Sequence, residues 1–449
     1  LPLRTHILRS LSSLPGTREL QLVVLVTAPR RHAGLFPYAR PRVRGWVQDV
    51  LLLVFERSAE LDLSTPELQQ QKQEGTACIA ALEASLYLFP STTSSILYIA
   101  KLDTSGLSSP PSPSAILARA FLSHLCAPST RPTPVVWVHV FARAQGQYLF
   151  PNSSENGRKR VLGDARLCGW WKSLLQEVVR EVLPEPGVTT GTAVHTAASN
   201  KSYAAFYLLP GYSALEATRL LPARPTPPIP WTYAHPYTLS PSPSSPSSSL
   251  PPAHPLPLPW PSAHPTQGIA GLIPSFPDDP KARFVQELAS DVDPLAAVPR
   301  KRGNLKGPDP PQSGKNKSSQ ETGTGPGGGA EEKALARTGV DEFWQLVPFR
   351  QECSSGAVTA FFVLVFLPPP QAEPADHPGL MDGSAHGPGP SISTSTSTSK
   401  TDDLPPLPGQ VSQAVLGRVT SALLDLDFGT VERGLRASGV LGELVRVLC

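Results

Sequence analysis

Proline sets the strongest limit on how this chain folds, because it is concentrated in tracts that alternate with apolar segments. The chain has 53 prolines among 449 residues, about twice ordinary usage. Proline has no backbone N–H to donate, and tracts of Pro, Ser and Gly lack the apolar surface that would offset the entropy of ordering. We therefore expect disordered insertions at 222–266 (Pro/Ser-rich), 296–337 (basic and Gly-rich) and 368–408 (Ser/Thr/Pro-rich).

The segments between these tracts predict one α/β domain over residues 1–449, with a central mixed β-sheet surrounded by helices. LQLVVLVTA at 20–28 is typical of a strand covered on both faces. The segment 75–89 is compatible with either a helix or a strand. Further strands are predicted at 47–56, 96–104, 135–144 and 357–366. Helices are predicted at 115–125, 165–183 and 213–221, from Asp279 onward, and in 409–449, where they would pack on the core.

Charge, cysteine spacing and apolar run length exclude several classes of protein. The formal net charge is only +3, so no global field favours nucleic acid, and we expect no direct sequence-specific binding to it. Five cysteines without a CxxC spacing predict neither a zinc site nor a disulfide scaffold, so no metal is expected. The longest apolar run, residues 357–367, is too short to span a bilayer, and no membrane partner is expected.

The stretch SFPDDPKARF, residues 275–284, stands where a proline- and serine-rich tract gives way to a helical pattern. Asp279 followed by Pro280 is an ordinary helix start, with the aspartate as N-cap and the proline at the first helical position. A capping carboxylate is also held rigidly, and Lys281 lies next to it in sequence. The same residues could therefore handle a proton from an amine.

KLDTSG, residues 101–106, ends a buried-type strand with an Asp-Thr-Ser-Gly sequence. Aspartic proteases use two Asp-Thr/Ser-Gly loops that share a proton, but this chain has one copy. A strand-to-loop turn and a cofactor loop both remain open as interpretations.

Three consecutive basic residues, Arg158 to Arg160, follow a turn-rich stretch and precede the pair Trp170-Trp171. Such a charge run is usually a solvated face, although guanidinium and ammonium groups beside a turn also suit phosphates. The tryptophan pair cannot easily place both rings in the core from one helix, so one ring could line a ligand site, although the core or a partner interface would also explain the pair. A second basic run at 299–306 is compatible with nuclear import, with contact to histones or nucleic acid, or with loop solubility.

Taken in order, these motifs resemble fungal histone acetyltransferases of the regulator-of-Ty-transposition type, which acetylate histone H3 and share the fold of CBP-type acetyltransferases. The motifs are KLDTSG, then RAQGQYLFPNSSENGRKRVL with GWW, then FPDDPKARF, then DEFWQLVPFRQE. The resemblance covers about residues 95–365. It implies an acetyl-CoA co-substrate and a histone H3–H4 substrate, including a lysine of the globular core.

The resemblance also implies roles for single residues. Asp279, Asp103 and Trp171 would be catalytic, with Trp171 as a wall of the lysine channel. Lys281 would be acetylated by the enzyme itself and lie buried beside Asp103 and Asp279. The implied cofactor-binding residues are Leu102, Asp103, Thr104, Phe141, Ala144, Arg158, Lys159, Arg160 and Trp170.

The biological setting follows from the same resemblance. It implies a nuclear protein that acts in chromatin assembly and the DNA-damage response. Histone chaperones of the NAP and anti-silencing-function classes would present the substrate. The alternative is a catalytically inactive protein of the same fold that binds histones or chaperones.

Overall fold

The structure is a computed structural model. It describes residues 2–39, 41–57, 76–183, 202–222, 228–238, 256–259, 271–290, 340–349, 356–368 and 407–449. The predicted insertion at 296–337 lies outside these ranges, as does most of the one at 368–408. The basic run at 299–306 and residue 75, the first of the segment 75–89, are likewise not described.

A mixed β-sheet of nine strands forms the centre of the described part of the chain, in the order β1-β3-β4-β5-β6-β9-β7-β8, with β2 also paired to β3. The β5–β6 and β7–β8 pairs are parallel and the other pairs are antiparallel. The predicted mixed α/β sheet is thereby confirmed. The strands are β1 Glu19–Val26, β2 Arg30–His32, β3 Gly45–Arg57, β4 Thr76–Phe89, β5 Ser94–Thr104, β6 Val135–Ala142, β7 Tyr203–Leu208, β8 Thr232–Tyr233 and β9 Ala360–Phe366.

Helices cover both faces of this sheet. None of the described helices is both long and apolar enough to cross a membrane. The helices are α1 Leu3–Leu11, α2 Ser114–Cys126, α3 Asp164–Val182, α4 Ala214–Leu220, α5 Pro280–Ser290, α6 Val340–Leu346, α7 Gln413–Asp425 and α8 Val431–Leu448.

The period-2 alternation of β6 and β9 divides the core into two clusters. One cluster contains Val138 and Phe362 and packs against α2, α3 and α8; we call this side the α3 face. The other contains Trp137 and Phe361 and packs against α5 and α6; we call it the α5 face. Because both faces are covered, the central strands read as continuous apolar runs rather than as alternating ones.

Two sequence predictions need correction and one ambiguity is resolved. LQLVVLVTA forms the edge strand β1, in which only Leu22 and Leu25 are buried, and it is not a strand covered on both faces. Within the tract predicted as a disordered insertion, residues 228–238 and 256–259 pack on the core, because their few aromatic and leucine side chains complete the α5 and α3 faces. Tyr237 is buried there, at 2% exposure. The segment 76–89 is a strand, since β3 and β5 pair with both of its edges.

The C-terminal helix α8 closes the α3 face over β4. The Ser438 hydroxyl accepts a hydrogen bond from the backbone N–H of Cys78 at 2.8 Å, and Leu441 is fully buried. One turn earlier, a Cβ added at Gly434 would lie 2.8 Å from a methyl of the buried Leu107. Gly434 therefore permits the close approach of α8 to the loop that follows β5.

Two glycines of α8 should respond differently to alanine. Gly439 has open space around it, so Gly439→Ala should stabilise the fold by about 0.5–1 kcal/mol through helix propensity. Gly434→Ala has the same propensity gain but must displace Leu107, so it should be at least about 1 kcal/mol less stable than Gly439→Ala. Urea unfolding of both variants measures the difference. Equal stabilisation would show that α8 does not pack as described.

Candidate active site

The start of α5 holds a carboxylate in a fixed position. Asp279 is 1% exposed and caps the helix, its Oδ1 accepting from the backbone N–H of Lys281 at 3.0 Å. Pro280 occupies the first helical position, where no N–H is needed. Asp278, just before, adopts φ 58 and is exposed, which turns the chain into the helix. The predicted helix start is therefore present.

The same carboxylate binds a buried ammonium group. Lys281 Nζ lies 2.6 Å from Asp279 Oδ2, with the two side chains 3% and 1% exposed. The ammonium also lies 3.9 Å from the centroid of the Phe361 ring on β9. An ion pair removed from water is tolerable only while both partners remain, and the aromatic face adds attraction for the cation.

A small cavity of about 10 Å³ adjoins this pair, with room for about one water molecule. Residues of β5, β6 and β9 line it together with the Asp279–Lys281 pair. Its lining residues are Tyr98, His139, Val140, Phe141, His235, Asp279, Lys281, Phe361, Phe362 and Val363. Of the sequence-predicted site residues, the cavity thus brings together Asp279, Lys281 and Phe141.

Sequence reasoning missed a layer of histidine and aromatic side chains beside this cavity. His139 Nε2 lies 3.2 Å from Tyr237 Oη, and the His235 ring packs at a tilt of 41° against Tyr237 with ring centroids 4.8 Å apart. Burial lowers the pKa of His139 well below its usual range, with a smaller contribution from the Lys281 charge. Burial also lowers the pKa of His235 well below its usual range, and the charges of Lys281 and His139 lower it further. Both imidazoles are therefore neutral next to the lysine cation.

Asp103 lies elsewhere, at the end of β5, and its carboxylate is saturated with donors. Oδ2 accepts from the consecutive backbone N–H groups of Tyr148, Leu149 and Phe150 at 2.7, 2.9 and 3.2 Å. Oδ1 accepts from the N–H of Thr104 and from Lys159 Nζ, at 2.8 and 2.7 Å. Five protein donors thus take up the hydrogen-bonding capacity of this carboxylate. In the structure the cation paired with Asp103 is Lys159, whereas Lys281, predicted to lie beside both aspartates, pairs with Asp279.

The three side chains of the predicted phosphate-binding run, residues 158–160, point in different directions. Lys159 points inward, its side chain 5% exposed against Asp103, whereas Arg158 and Arg160 are exposed. Neither arginine forms an ion pair with another residue that the structure describes. Lys159, which the sequence predicts as a cofactor-binding residue, thus has its charge paired with Asp103 inside the protein.

The tryptophan pair, in which Trp171 is predicted as a wall of the lysine channel, packs on the α3 face. Trp171 is 5% exposed in the cluster of the α3 face, and Trp170 meets it edge to face at 5.0 Å. Lys281 instead contacts Phe361 on the α5 face. Among the other predicted cofactor residues, Leu102, Thr104 and Ala144 are half-buried where β5 and β6 end.

Within the described residues, no group of three or more His, Cys, Asp or Glu side chains is arranged to hold a metal ion. The site is therefore built from a capped carboxylate, a buried ammonium, neutral imidazoles and aromatic rings.

Comparison with known proteins places this arrangement in a family. Residues 122–438 match the model of the histone acetyltransferase KAT11-type domain. The chain belongs to this family of histone acetyltransferases. The match includes the loop after β6, the tryptophan pair and the Asp279–Lys281 pair.

The relatives within the family are fungal and of the rtt109 type, which confirms the resemblance in the sequence. Histone acetyltransferase rtt109 of Aspergillus flavus is 31% identical over 290 residues, 61% of this chain and 42% of that protein. Histone acetyltransferase rtt109 of Schizosaccharomyces pombe is 25% identical over 233 residues, 51% and 41% of the two chains. The matches thus span about two fifths of the length of these relatives.

The fold agrees with a solved structure. The crystal structure of Rtt109 from Aspergillus fumigatus superposes with a TM-score of 0.64 at 23% identity. The superposition covers 98% of this chain and 96% of that one. At this identity the match establishes the fold.

Breaking the buried pair should cost stability. Lys281→Met leaves the Asp279 carboxylate buried without its cation, which should lower the free energy of unfolding by about 3–5 kcal/mol. The double variant Asp279→Asn/Lys281→Met should recover much of the loss, because asparagine still caps the helix. Urea unfolding measures both.

The matched control is Asp278→Asn, which alters the exposed Asp278–Arg283 pair at 3.8 Å and should change stability by less than about 0.5 kcal/mol. A Lys281→Met variant as stable as this control would contradict the buried ion pair.

Stability should fall with acidification because of His139 and His235. The folded protein keeps both imidazoles neutral, whereas the unfolded chain takes up protons below about pH 6.5. The free energy of unfolding should therefore decrease as pH falls below about 6.5, by up to about 1.4 kcal/mol per pH unit for each histidine. Urea unfolding from pH 5 to 7 measures the slope, and His139→Leu should flatten it. A slope unchanged in that variant would show that His139 is not held neutral.

Proposed function

We propose that this chain transfers the acetyl group of acetyl-CoA to lysine side chains of histone H3, including a lysine of the globular core. Family membership supports the reaction class. The observation that carries the proposal is the buried Asp279–Lys281 pair, because it provides a rigidly held carboxylate and an amine at one place in the fold.

The reaction requires a base. A lysine amine has a pKa near ~10.4 in water, so only a small fraction is nucleophilic at neutral pH. A positioned carboxylate, acting directly or through one water, can take the proton as the amine attacks a thioester carbonyl. Asp279 is the carboxylate that faces the cavity, whereas Asp103 is saturated. We therefore assign the proton-accepting role to Asp279 and a structural role to Asp103.

The residues present fit acetyl-CoA at the loop after β6. The guanidinium groups of Arg158 and Arg160 are exposed and have the geometry to bind phosphate oxygens in pairs. Acetyl-CoA, when bound, supplies the thioester. Leu102, Thr104 and Ala144 lie near this loop, where half-buried side chains could exclude water from the reacting amine.

Self-acetylation of Lys281 is part of the proposal. The acetyl group would remove the lysine charge and its ion pair with Asp279, leaving Oδ2 of that carboxylate available to a proton. The burial of Lys281 supports this role, because an uncharged amide is far less costly than a charge in that position.

The wider setting is also proposed from the family. We infer a nuclear enzyme of chromatin assembly and the DNA-damage response. It would receive H3–H4 from histone chaperones of the NAP and anti-silencing-function classes. The proposed substrate is a basic protein. We therefore propose neither a membrane partner nor sequence-specific binding to nucleic acid.

The decisive measurement is peptide mass spectrometry after incubation with acetyl-CoA, H3–H4 and a NAP-type chaperone. We expect acetyl on H3 and on Lys281 in the unaltered protein. Asp279→Asn should lose at least about a hundred-fold in rate through loss of the base, while keeping the helix cap. Asp278→Asn, one residue away and exposed, should retain activity. A folded protein that binds histones but acetylates nothing would favour the inactive binding protein instead.

A further inference from the structure

Two sequence motifs that lie forty residues apart form one interlocked unit. KLDTSG ends β5, and QYLFPNSSENGRKR forms the loop between β6 and α3. The loop contacts the strand end through the backbone N–H groups of residues 148–150, which donate to Asp103, and through Asn156 Nδ2, which donates to the Ser105 carbonyl at 3.3 Å. The Asp103 carboxylate and the Ser105 carbonyl thus hold the loop at two separate points.

Lys159 closes this unit from inside. Its Nζ donates to Asp103 Oδ1 and to Ser153 Oγ, both at 2.7 Å. Ser153 is fully buried and also donates to the Phe150 carbonyl. The ammonium therefore ties the strand end to the middle of the loop. Burial lowers the pKa of Lys159, and the Asp103 charge opposes that shift.

The backbone around Lys159 is shaped for this position. Gly106 adopts φ +83, and a Cβ placed there would lie 2.9 Å from Lys159 Cβ and 3.0 Å from its backbone nitrogen. Asn156 turns the loop, since its Oδ1 accepts from the N–H of Arg158 and its carbonyl from the N–H of Lys159. Lys159 is thereby directed inward and its two arginine neighbours outward.

We propose that Lys159 is a positioning residue, which fixes the loop so that Arg158 and Arg160 face the phosphates of the acetyl donor, and that it does not bind those phosphates itself. This inference rests on the proposed acetyl transfer for its kinetic test. To reach a phosphate, the Lys159 ammonium would have to leave Asp103 and Ser153, which would leave a buried carboxylate without its cation.

The test compares two acetyl donors, acetyl-CoA and acetyl-pantetheine, which lacks every phosphate. Lys159→Met should lower kcat/KM by about ten- to a hundred-fold with both donors, because a displaced loop misplaces the donor whatever its phosphates. Arg158→Met should lower kcat/KM by about ten-fold, chiefly through KM and chiefly with acetyl-CoA. Arg166→Met, an exposed basic residue on α3 outside the loop, is the control for general loss of charge. A Lys159→Met defect confined to acetyl-CoA would overturn the proposal.

Hydrogen exchange of the unliganded protein tests the same inference without activity. Amides of residues 148–150 should exchange at least about ten-fold faster in Lys159→Met, because the anchoring carboxylate loses its cation and the loop opens locally. Arg158→Met and Arg166→Met should leave these amides as in the unaltered protein. Protection that survives Lys159→Met would refute the positioning role even if no acetyl transfer is found. If protection is lost but the unaltered protein transfers no acetyl, the proposed function fails and the loop anchor stands.

A second variant separates the specific bond from general instability. Asp103→Asn keeps an acceptor for the loop amides but turns an amide N–H₂ toward Lys159, so exchange should increase. Asp103→Asn/Lys159→Gln should restore part of the protection, because the glutamine carbonyl can accept from that amide. Exchange in the double variant as fast as in Asp103→Asn would contradict a direct contact between the two side chains.

Discussion

Burial of charge is the constraint on which this structure depends most. Two Asp–Lys pairs, Asp103–Lys159 and Asp279–Lys281, are removed from water. A buried ion is tolerated only when its partner and its hydrogen bonds are complete. Each pair therefore fixes the backbone that carries it. The first fixes the loop between β6 and α3, and the second fixes the start of α5.

The two pairs differ in what their carboxylates can still do. Asp103 accepts five hydrogen bonds from protein donors and serves as an anchor. Asp279 uses Oδ1 for the helix and Oδ2 for Lys281, next to a cavity with room for about one water molecule. In the proposed function, saturation gives the first carboxylate a structural role. The second one, which faces the cavity, takes the proposed chemical role once its cation is neutralised.

Much of the architecture was predictable because local patterns and the tertiary structure agree. The apolar runs at 47–56 and 135–144 form strands, and Asp279 caps α5 as its sequence predicts. The family could be recognised from the order of its motifs. β1 was misjudged because an apolar run does not show whether both faces of the strand will be covered. Residues 228–238 were misjudged because the surrounding composition hid the one buried tyrosine that packs on His139.

The direction of single side chains in loops could not be predicted. Arg158, Lys159 and Arg160 form one basic run in the sequence, yet only Lys159 points inward. That direction is set by Asn156 and Gly106, whose contacts with the run are visible only once the loop has closed on β5. The neutral histidines of the α5 face were hidden for a similar reason, because nothing in an apolar strand indicates that its histidine will face a buried lysine.

The geometry of α5 explains how a modification could change reactivity without moving the backbone. The helix cap uses the backbone N–H of Lys281, whereas the ion pair uses its Nζ, and each binds a different oxygen of Asp279. The proposed acetylation changes only Nζ, so Oδ1 would keep the carboxylate in place while Oδ2 loses its cation. Because His139 and His235 are already neutral, no second positive charge would take the place of the lysine. The carboxylate would then face the cavity as an acceptor, held by the same helix start that the sequence predicts.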